Sequence, residues 1–255
     1  EISECLVGSE MCIRDRSKGK RPVGRTITRL SLQSKIVLTM TLFLLTLGTV
    51  GFYLLEHHNP ATMGTLNAAG KFQAAFFQSV TTRTAGFASI SQSGLTNGSK
   101  LLACMLMIIG GSPAGTAGGI KTTTVAVLLL TAISVLRGNK DTECYGRKIT
   151  FEIIRVGMTI TLVTFVFWLF GVTVMTVIEP QQKVLDLMFE ATSAMATVGL
   201  TADLTPVLSD ISHVVLMLMM YIGRIGPMTM ALIFSGHADK KNQFRTLPEA
   251  KIMVG

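Results

Sequence analysis

The stretch of this chain best suited to chemistry is Glu190-Ala-Thr-Ser-Ala-Met-Ala-Thr-Val-Gly-Leu-Thr201. A run of small residues with helical character leads into Thr197-Val198-Gly199. Potassium filters are built from such peptides: backbone carbonyls replace the ion's water shell, and a glycine permits the angles that aim them inward. The same three residues also fit an ordinary turn. A second copy separates the two readings. Phe76-Phe77-Gln78-Ser79-Val80-Thr81-Thr82-Arg83-Thr84-Ala85-Gly86-Phe87 lies over Phe189–Leu200 at an offset of 113 residues, and Ile109-Gly110-Gly111 lies over Ile222-Gly223-Arg224 at the same offset. Unrelated turns are not expected to keep register through the following helix. Repeats in membrane proteins place ion sites at their shared axis, on broken backbone. The candidate ion ligands are therefore the carbonyls of Thr84, Ala85 and Gly86 and of Thr197, Val198 and Gly199.

The elements around these peptides must hold them in an apolar medium. The chain has 255 residues, 49% of them hydrophobic and 15% charged, with a net charge of +8. Its mean hydropathy is +0.51. That is too apolar for a typical soluble domain. The positive charge alone would suit nucleic acid, but the basic residues sit between apolar blocks, as membrane topology requires. Cys5, Cys12, Cys104 and Cys144 show no metal or redox spacing and read as structural or incidental.

Residues 1–16 show no periodicity and read as translated adaptor sequence, with a native tail as the alternative. Lys18–Lys35 is basic. Ile36–Leu55 runs 20 residues without a charge, enough for one crossing at ~1.5 Å per residue, and Glu56-His57-His58-Asn59-Pro60 ends it. The adjacent histidines diverge on a helix and read as a loop end rather than a metal site. Phe72–Val80 is too short to span and reads as a pore helix leading to the first filter copy. Arg83 beside it reads as a brace for that loop. Asn97-Gly-Ser99 matches a glycosylation acceptor, a pattern frequent by chance.

Leu101–Ile109 and Thr122–Leu136 are apolar, and Gly110-Gly-Ser-Pro-Ala-Gly-Thr-Ala-Gly-Gly-Ile-Lys121 lies between them. A phosphate-binding loop would need Gly-Lys-Ser/Thr as neighbours, whereas Ile120 separates Gly119 from Lys121. Non-helical backbone at membrane depth must be covered by protein or water. A glycine-rich crossing under a filter is placed to obstruct ions. Gly110, Gly111, Ser112, Gly115, Thr116, Gly118, Gly119 and Lys121 therefore read as a gate, with a passive helix break as the alternative.

Arg137–Lys148 is basic, and Val156–Ile178 is a 23-residue span. Val184–Ala196 is the second pore helix, with Glu190 read as an anchor holding it. Ile211–Ser235 is the last crossing, broken at Gly223-Arg224-Ile-Gly226-Pro227. Arg224 at mid-membrane is a functional residue by default, able to oppose cations or hold the gate. His213 reads as an interfacial histidine. The three basic segments fall on one face and Glu56, Glu179, Asp203 and Asp210 on the other. By the positive-inside rule both termini are cytoplasmic.

The two filter copies, the glycine loop and Gly-Arg-Ile-Gly-Pro227 together resemble the Trk/Ktr/HKT superfamily of potassium transporters, most of all the membrane subunit of bacterial Ktr systems, over about residues 26–255. The resemblance implies an all-α polytopic membrane protein. It would have four crossings plus two pore helices, forming two helix–pore loop–helix repeats, the third and fourth of a four-repeat pseudo-fourfold pore. Residues 1–25 would be a non-native or disordered segment, 26–148 one repeat with its intramembrane loop, and 149–255 the other with a tail. The N-terminal half would be missing. The implied function is potassium uptake across the bacterial plasma membrane with sodium as an activator, and no enzyme activity; a truncated, non-transporting fragment is the alternative. Arg224 would help hold the loop closed. The implied partners are a second membrane subunit, a cytoplasmic ring that binds ATP or ADP, and lipid, but no nucleic acid. The chain itself would carry no cofactor, with potassium as its substrate.

Overall fold

A computed structural model describes residues 31–113, 117–139 and 141–225. Gly115, Thr116, Gly226, Pro227, the basic tail and the expected adaptor segment lie outside them.

Seven α-helices dominate the described residues. Helix α1 (Leu32–Glu56) extends the expected first span by four residues at its start, because Ser31 caps it by accepting from the Ser34 amide at 3.2 Å. Helix α2 (Ala68–Thr81) likewise begins earlier than the apolar run, capped by Asn67. Helix α3 (Asn97–Ile108) is capped by Thr96 and helix α4 spans Thr122–Leu136. Helices α5 (Phe151–Ile178), α6 (Val184–Met195) and α7 (Asp210–Ile225) follow. Asn97 opens α3 and Asp210 opens α7, 113 positions apart, so these two helices begin at the offset seen in the sequence. Ser99 of the glycosylation-like triplet is buried in the first turn of α3.

The all-α expectation needs one correction. Strands β1 (Glu143–Cys144) and β2 (Arg147–Lys148) form a short antiparallel hairpin inside the basic segment. Tyr145 and Gly146 at its tip have φ of 50° and 73°. Two successive positive-φ residues make the turn whose twist suits a tight hairpin. Cys144 and Ile149 then pack with Ile36, Ala126 and Ile154, closing that end of the molecule.

Helices α1 and α5 are long and apolar enough to cross a membrane, yet only 28% and 22% of their most apolar windows are buried. Leu38, Leu42, Leu47 and Leu54 on α1 and Leu162, Val166 and Phe170 on α5 face outward. Water would penalise that exposure at roughly 25 cal/mol per Å²; hydrocarbon does not. The inverse holds for α6. Leu187 and Phe189–Met195 are all buried, and the small side chains of Ala191–Ala194 let neighbours approach closely. Helix α3 of the first copy packs on α6 of the second, and α6 is flanked by α5 and α7. One core joins Phe52, Met107 and Phe189 to Val198 and Leu200, so the second filter-like peptide lies inside the packing of the first copy. Lys100 on α3 pairs with Asp186 on α6 at 2.6 Å and ties the copies together.

Candidate functional site

Both filter-like peptides leave their helices through the same backbone sequence. Thr84 and Gly86 have φ of 67° and 77°, and Thr197 and Gly199 have φ of 52° and 90°, while Ala85 and Val198 between them keep negative φ. Left-handed conformation is unfavourable for threonine, by about 1–2 kcal/mol. Its appearance at both equivalent positions marks a conformation imposed twice by the surrounding structure. The amides are consumed locally: Ala85 and Gly86 donate to Thr81, Thr197 to Ala194 and Val198 to Ser193.

The two peptides touch. A Cβ on Gly86 would stand 2.3 Å from the Val198 carbonyl oxygen, and one on Gly199 would stand 3.8 Å from the Gly86 Cα. The Thr197 hydroxyl is buried without a hydrogen-bond partner among the described residues.

Each peptide is pinned behind by its own helix. On α6, the buried Glu190 accepts from the Thr201 hydroxyl (2.5 Å), the Ala202 amide (2.9 Å) and the Thr205 hydroxyl (2.9 Å), so it joins the helix to the segment beyond the filter-like peptide. In the first copy an uncharged pair does this work. Gln78 and Gln92 exchange two hydrogen bonds at 2.6 and 3.1 Å, and the Thr81 hydroxyl bonds the Phe87 backbone. Arg83 reaches sideways to the Thr41 carbonyl of α1 at 3.5 Å.

The glycine loop is non-helical at Gly110–Pro113 and Ala117–Lys121. Its neck is pinched by a parallel bridge between Ile109 and Ile120, with Ile120 donating to Ile108 (3.0 Å) and Thr122 to Gly111 (3.2 Å). Lys121 Nζ donates to the Ala117 carbonyl. Gly110 packs so closely on Gly118 that a Cβ would overlap its carbonyl oxygen. Gly118 in turn abuts the second filter-like peptide: a Cβ there would lie 2.4 Å from Thr197 Oγ1 and 2.6 Å from the Ala196 carbonyl. Among the described residues Gly111 faces the Ala117 side chain, and Ser112 is half-buried. Arg224 is exposed in the last described turn of α7, near enough to Lys121 for the like charges to interact.

The structure thus brings together the two filter-like peptides and the loop, and sets Arg224 beside the loop's end. Two carboxylates at helix ends share a task. Fully buried Glu56 accepts from the Thr96 amide and hydroxyl (both 2.8 Å), Asn59 Nδ2 (2.7 Å) and the Thr62 hydroxyl (2.5 Å). Glu179 accepts from the Ser209 amide (2.8 Å) and the Ser212 hydroxyl (2.9 Å). Thr96 and Ser209 are 113 positions apart and immediately precede α3 and α7. In each copy a carboxylate ending the long helix satisfies the positive N-terminus of the inner helix. The signal available beforehand was the matched Thr96/Ser209 and Ser99/Ser212 pairs. His213 bonds the Thr205 carbonyl at 3.0 Å, and His57 lies at the C-terminus of α1.

Residues 23–245 match the profile of a family described as TrkH, cation transport protein. The chain is 36% identical over 231 residues to the Ktr system potassium uptake protein B of Bacillus subtilis (strain 168), covering 91% of this chain and 51% of that protein. It is 39% identical to the protein of the same name from Vibrio alginolyticus, covering 89% of this chain and 49% of that one. It is 34% identical to the potassium/sodium uptake protein NtpJ of Enterococcus hirae over 90% of this chain and 51% of that one. The chain therefore spans about half the length of these curated relatives. In three dimensions it is similar to the crystal structure of the potassium transporter TrkH from Vibrio parahaemolyticus, with a TM-score of 0.63 at 17% identity over 77% of this chain and 43% of that one. That likeness speaks to the fold alone.

Proposed function

The chain belongs to the TrkH family of cation transport proteins, a membrane transporter family and not an enzyme family, and we propose that it lines part of a potassium pathway. Thr84-Ala85-Gly86 and Thr197-Val198-Gly199 supply two of the filter's peptides. The observation that carries this reading is the repeated alternation of positive and negative φ in two touching peptides. Successive carbonyls of an extended strand point to opposite sides; alternating handedness turns them towards one side, where they can replace an ion's water shell. The Thr197 hydroxyl, without a partner among the described residues, supports a polar ligand there, since buried polar groups are rarely left unsatisfied.

Two touching peptides line one side of an ion. A ring needs further lining, and we propose two more repeats of the same kind, which makes the elements here the third and fourth of four. Helices α2 and α6 act as pore helices. The four crossings are α1, α3 with α4 through the loop, α5 and α7.

The loop Gly110–Lys121 acts as the gate. Its Gly118 rests against Ala196–Thr197, where a shift would alter the path just past the filter. Arg224 helps hold the closed state. Gly115 and Thr116 lie within the same loop by sequence. Sodium stimulation, pairing with a second membrane subunit, regulation by a nucleotide-binding cytoplasmic ring and cytoplasmic termini complete the proposal. The relatives' names as proteins of a Ktr system support a separate regulatory component, and the charge pattern supports the cytoplasmic termini.

The test is rubidium or potassium uptake in a potassium-auxotrophic strain, comparing this chain with one completed by the N-terminal half of a related protein. Growth with the completed form is expected. Failure of both, with membrane expression verified, would remove the pore assignment. Growth with the short chain alone would mean that two copies assemble one pore.

A further inference from the structure

Between α4, α5 and α6 lies a cavity of about 430 Å³, within the ~300–1,000 Å³ range of small-molecule sites. Leu128 of α4 and Leu162, Phe165 and Trp168 of α5 line it, together with Ile120 and Met195. The few polar groups in the wall are already engaged. Thr161 and Thr164 donate to carbonyls of their own helix at 2.9 and 2.8 Å, and Thr192 donates to Met188 while accepting from Trp168 Nε1 at 2.8 Å. A buried water needs two to four polar partners, so this space does not hold water well. Leaving it empty would forfeit dispersion contacts along its whole lining.

The position of the mouth selects the occupant. Leu162 and Phe165 are 65% and 52% exposed, so the cavity opens on the outward face of α5. Residues 161–168 lie at least ten positions from either end of that helix, ~15 Å at ~1.5 Å per residue. At that depth a membrane offers hydrocarbon, while headgroups and water are absent. We propose that a lipid acyl chain enters this cavity at mid-membrane and packs against Gly119–Ile120 of the glycine loop. The inference rests on the placement of the chain in a membrane and needs nothing from the transport reading.

The sequence contains one tryptophan, Trp168, and it stands in the cavity wall. The full chain is reconstituted in phosphatidylcholine vesicles whose acyl chains are brominated at mid-length, and Trp168 fluorescence is compared with that in unbrominated vesicles. Strong quenching is expected. Thr161→Phe and Leu128→Phe fill the cavity from α5 and from α4, and each is expected to abolish most of the quenching. Thr159→Phe, on the exposed side of α5, leaves it unchanged. Circular dichroism identifies a variant that misfolds, and the other then carries the test. Equal quenching in all four proteins would show that Trp168 meets only bulk lipid, which overturns the proposal. Quenching by aqueous acrylamide instead of bromolipid overturns it in favour of water. Quenching by neither overturns it in favour of a covering protein surface. Rubidium uptake is not read in this experiment, so failure of the pore assignment leaves the result interpretable.

Discussion

Gly86 and Val198 meet backbone to backbone: a methyl group on Gly86 would stand 2.3 Å from the Val198 carbonyl oxygen. The residue that must be glycine in one copy thus faces the middle residue of the other copy's filter-like peptide. Two constraints fall on Gly86, its φ of 77° and this contact. Only the first falls on Gly199, whose added Cβ would find no atom of the described residues nearer than the Gly86 Cα at 3.8 Å.

Gly86→Ala is therefore expected to do more harm than Gly199→Ala. Both incur the left-handed strain, about 1–2 kcal/mol, but only Gly86→Ala must also displace a backbone carbonyl. In a completed transporter, Gly86→Ala should lower the melting temperature and abolish potassium-over-sodium discrimination. Gly199→Ala should lose discrimination with a smaller loss of stability. Rubidium uptake in competition with sodium, beside thermal melts, checks both. Equal melting temperatures would contradict the packing account.

Gly118→Ala should loosen the loop. Its Cβ would meet Thr197 Oγ1 and the Ala196 carbonyl, and the carbonyl cannot retreat without moving the backbone that leads into the filter-like peptide. Raised basal potassium leak from proteoliposomes is the expected outcome, as for deletion of residues 115–119. Gly111→Ala, which among the described residues meets only the Ala117 side-chain methyl, should leak less. Unchanged leak from folded Gly118→Ala protein would sink the gate reading.

Glu56→Ala removes an acceptor from four hydrogen bonds in a fully buried site. Each unsatisfied buried donor is worth about 1–3 kcal/mol, so a loss of about 3 kcal/mol or more is expected, with the N-terminus of α3 freed. Glu56→Gln retains one oxygen and should lose less. Denaturation of the detergent-solubilised protein measures the difference; a neutral Glu56→Ala would show that Thr96 alone caps α3.

Glu179 predicts a pH effect. The hydroxyl and amide of Ser209, with the Ser212 hydroxyl, hold its carboxyl below the usual carboxylate value. A lowered folded value means that the stabilisation is complete above the ordinary carboxylate range and is lost as pH falls through the lowered one. Amide exchange at Ser209–Ser212 should therefore be slow at neutral pH and quicken relative to the rest of the chain in acid. Glu179→Gln should remove that dependence. Acid sensitivity that persists in the variant would assign it elsewhere.

The repeat was legible in advance because its signal is arithmetic. Thr84/Thr197, Gly86/Gly199 and Gly110/Gly223 keep one offset, and the structure adds Thr96/Ser209 to the same series. The long apolar helices were equally legible, since a run without charges identifies itself. Helix starts were less so: Ser31, Asn67 and Thr96 move each of them four residues ahead of the apolar run, because capping depends on a side chain folding back, which composition does not report. The hairpin at Glu143–Lys148 was hidden because Tyr145-Gly146 lies among charges that looked like an ordinary cytoplasmic loop.

By itself the sequence determined that the chain is apolar, duplicated and interrupted by glycine where helices should continue. Those properties follow from residue type and spacing, which are local. The tertiary structure alone decided that Gly86 faces Val198, that Gly118 rests on Thr197, and that Glu56 and Glu179 close the N-termini of the inner helices. These are contacts between residues 30 to 112 positions apart. Any one of them could be lost without changing the repeat, because what selects the partner is the packing of α3 against α6, and spacing along the chain does not encode that distance.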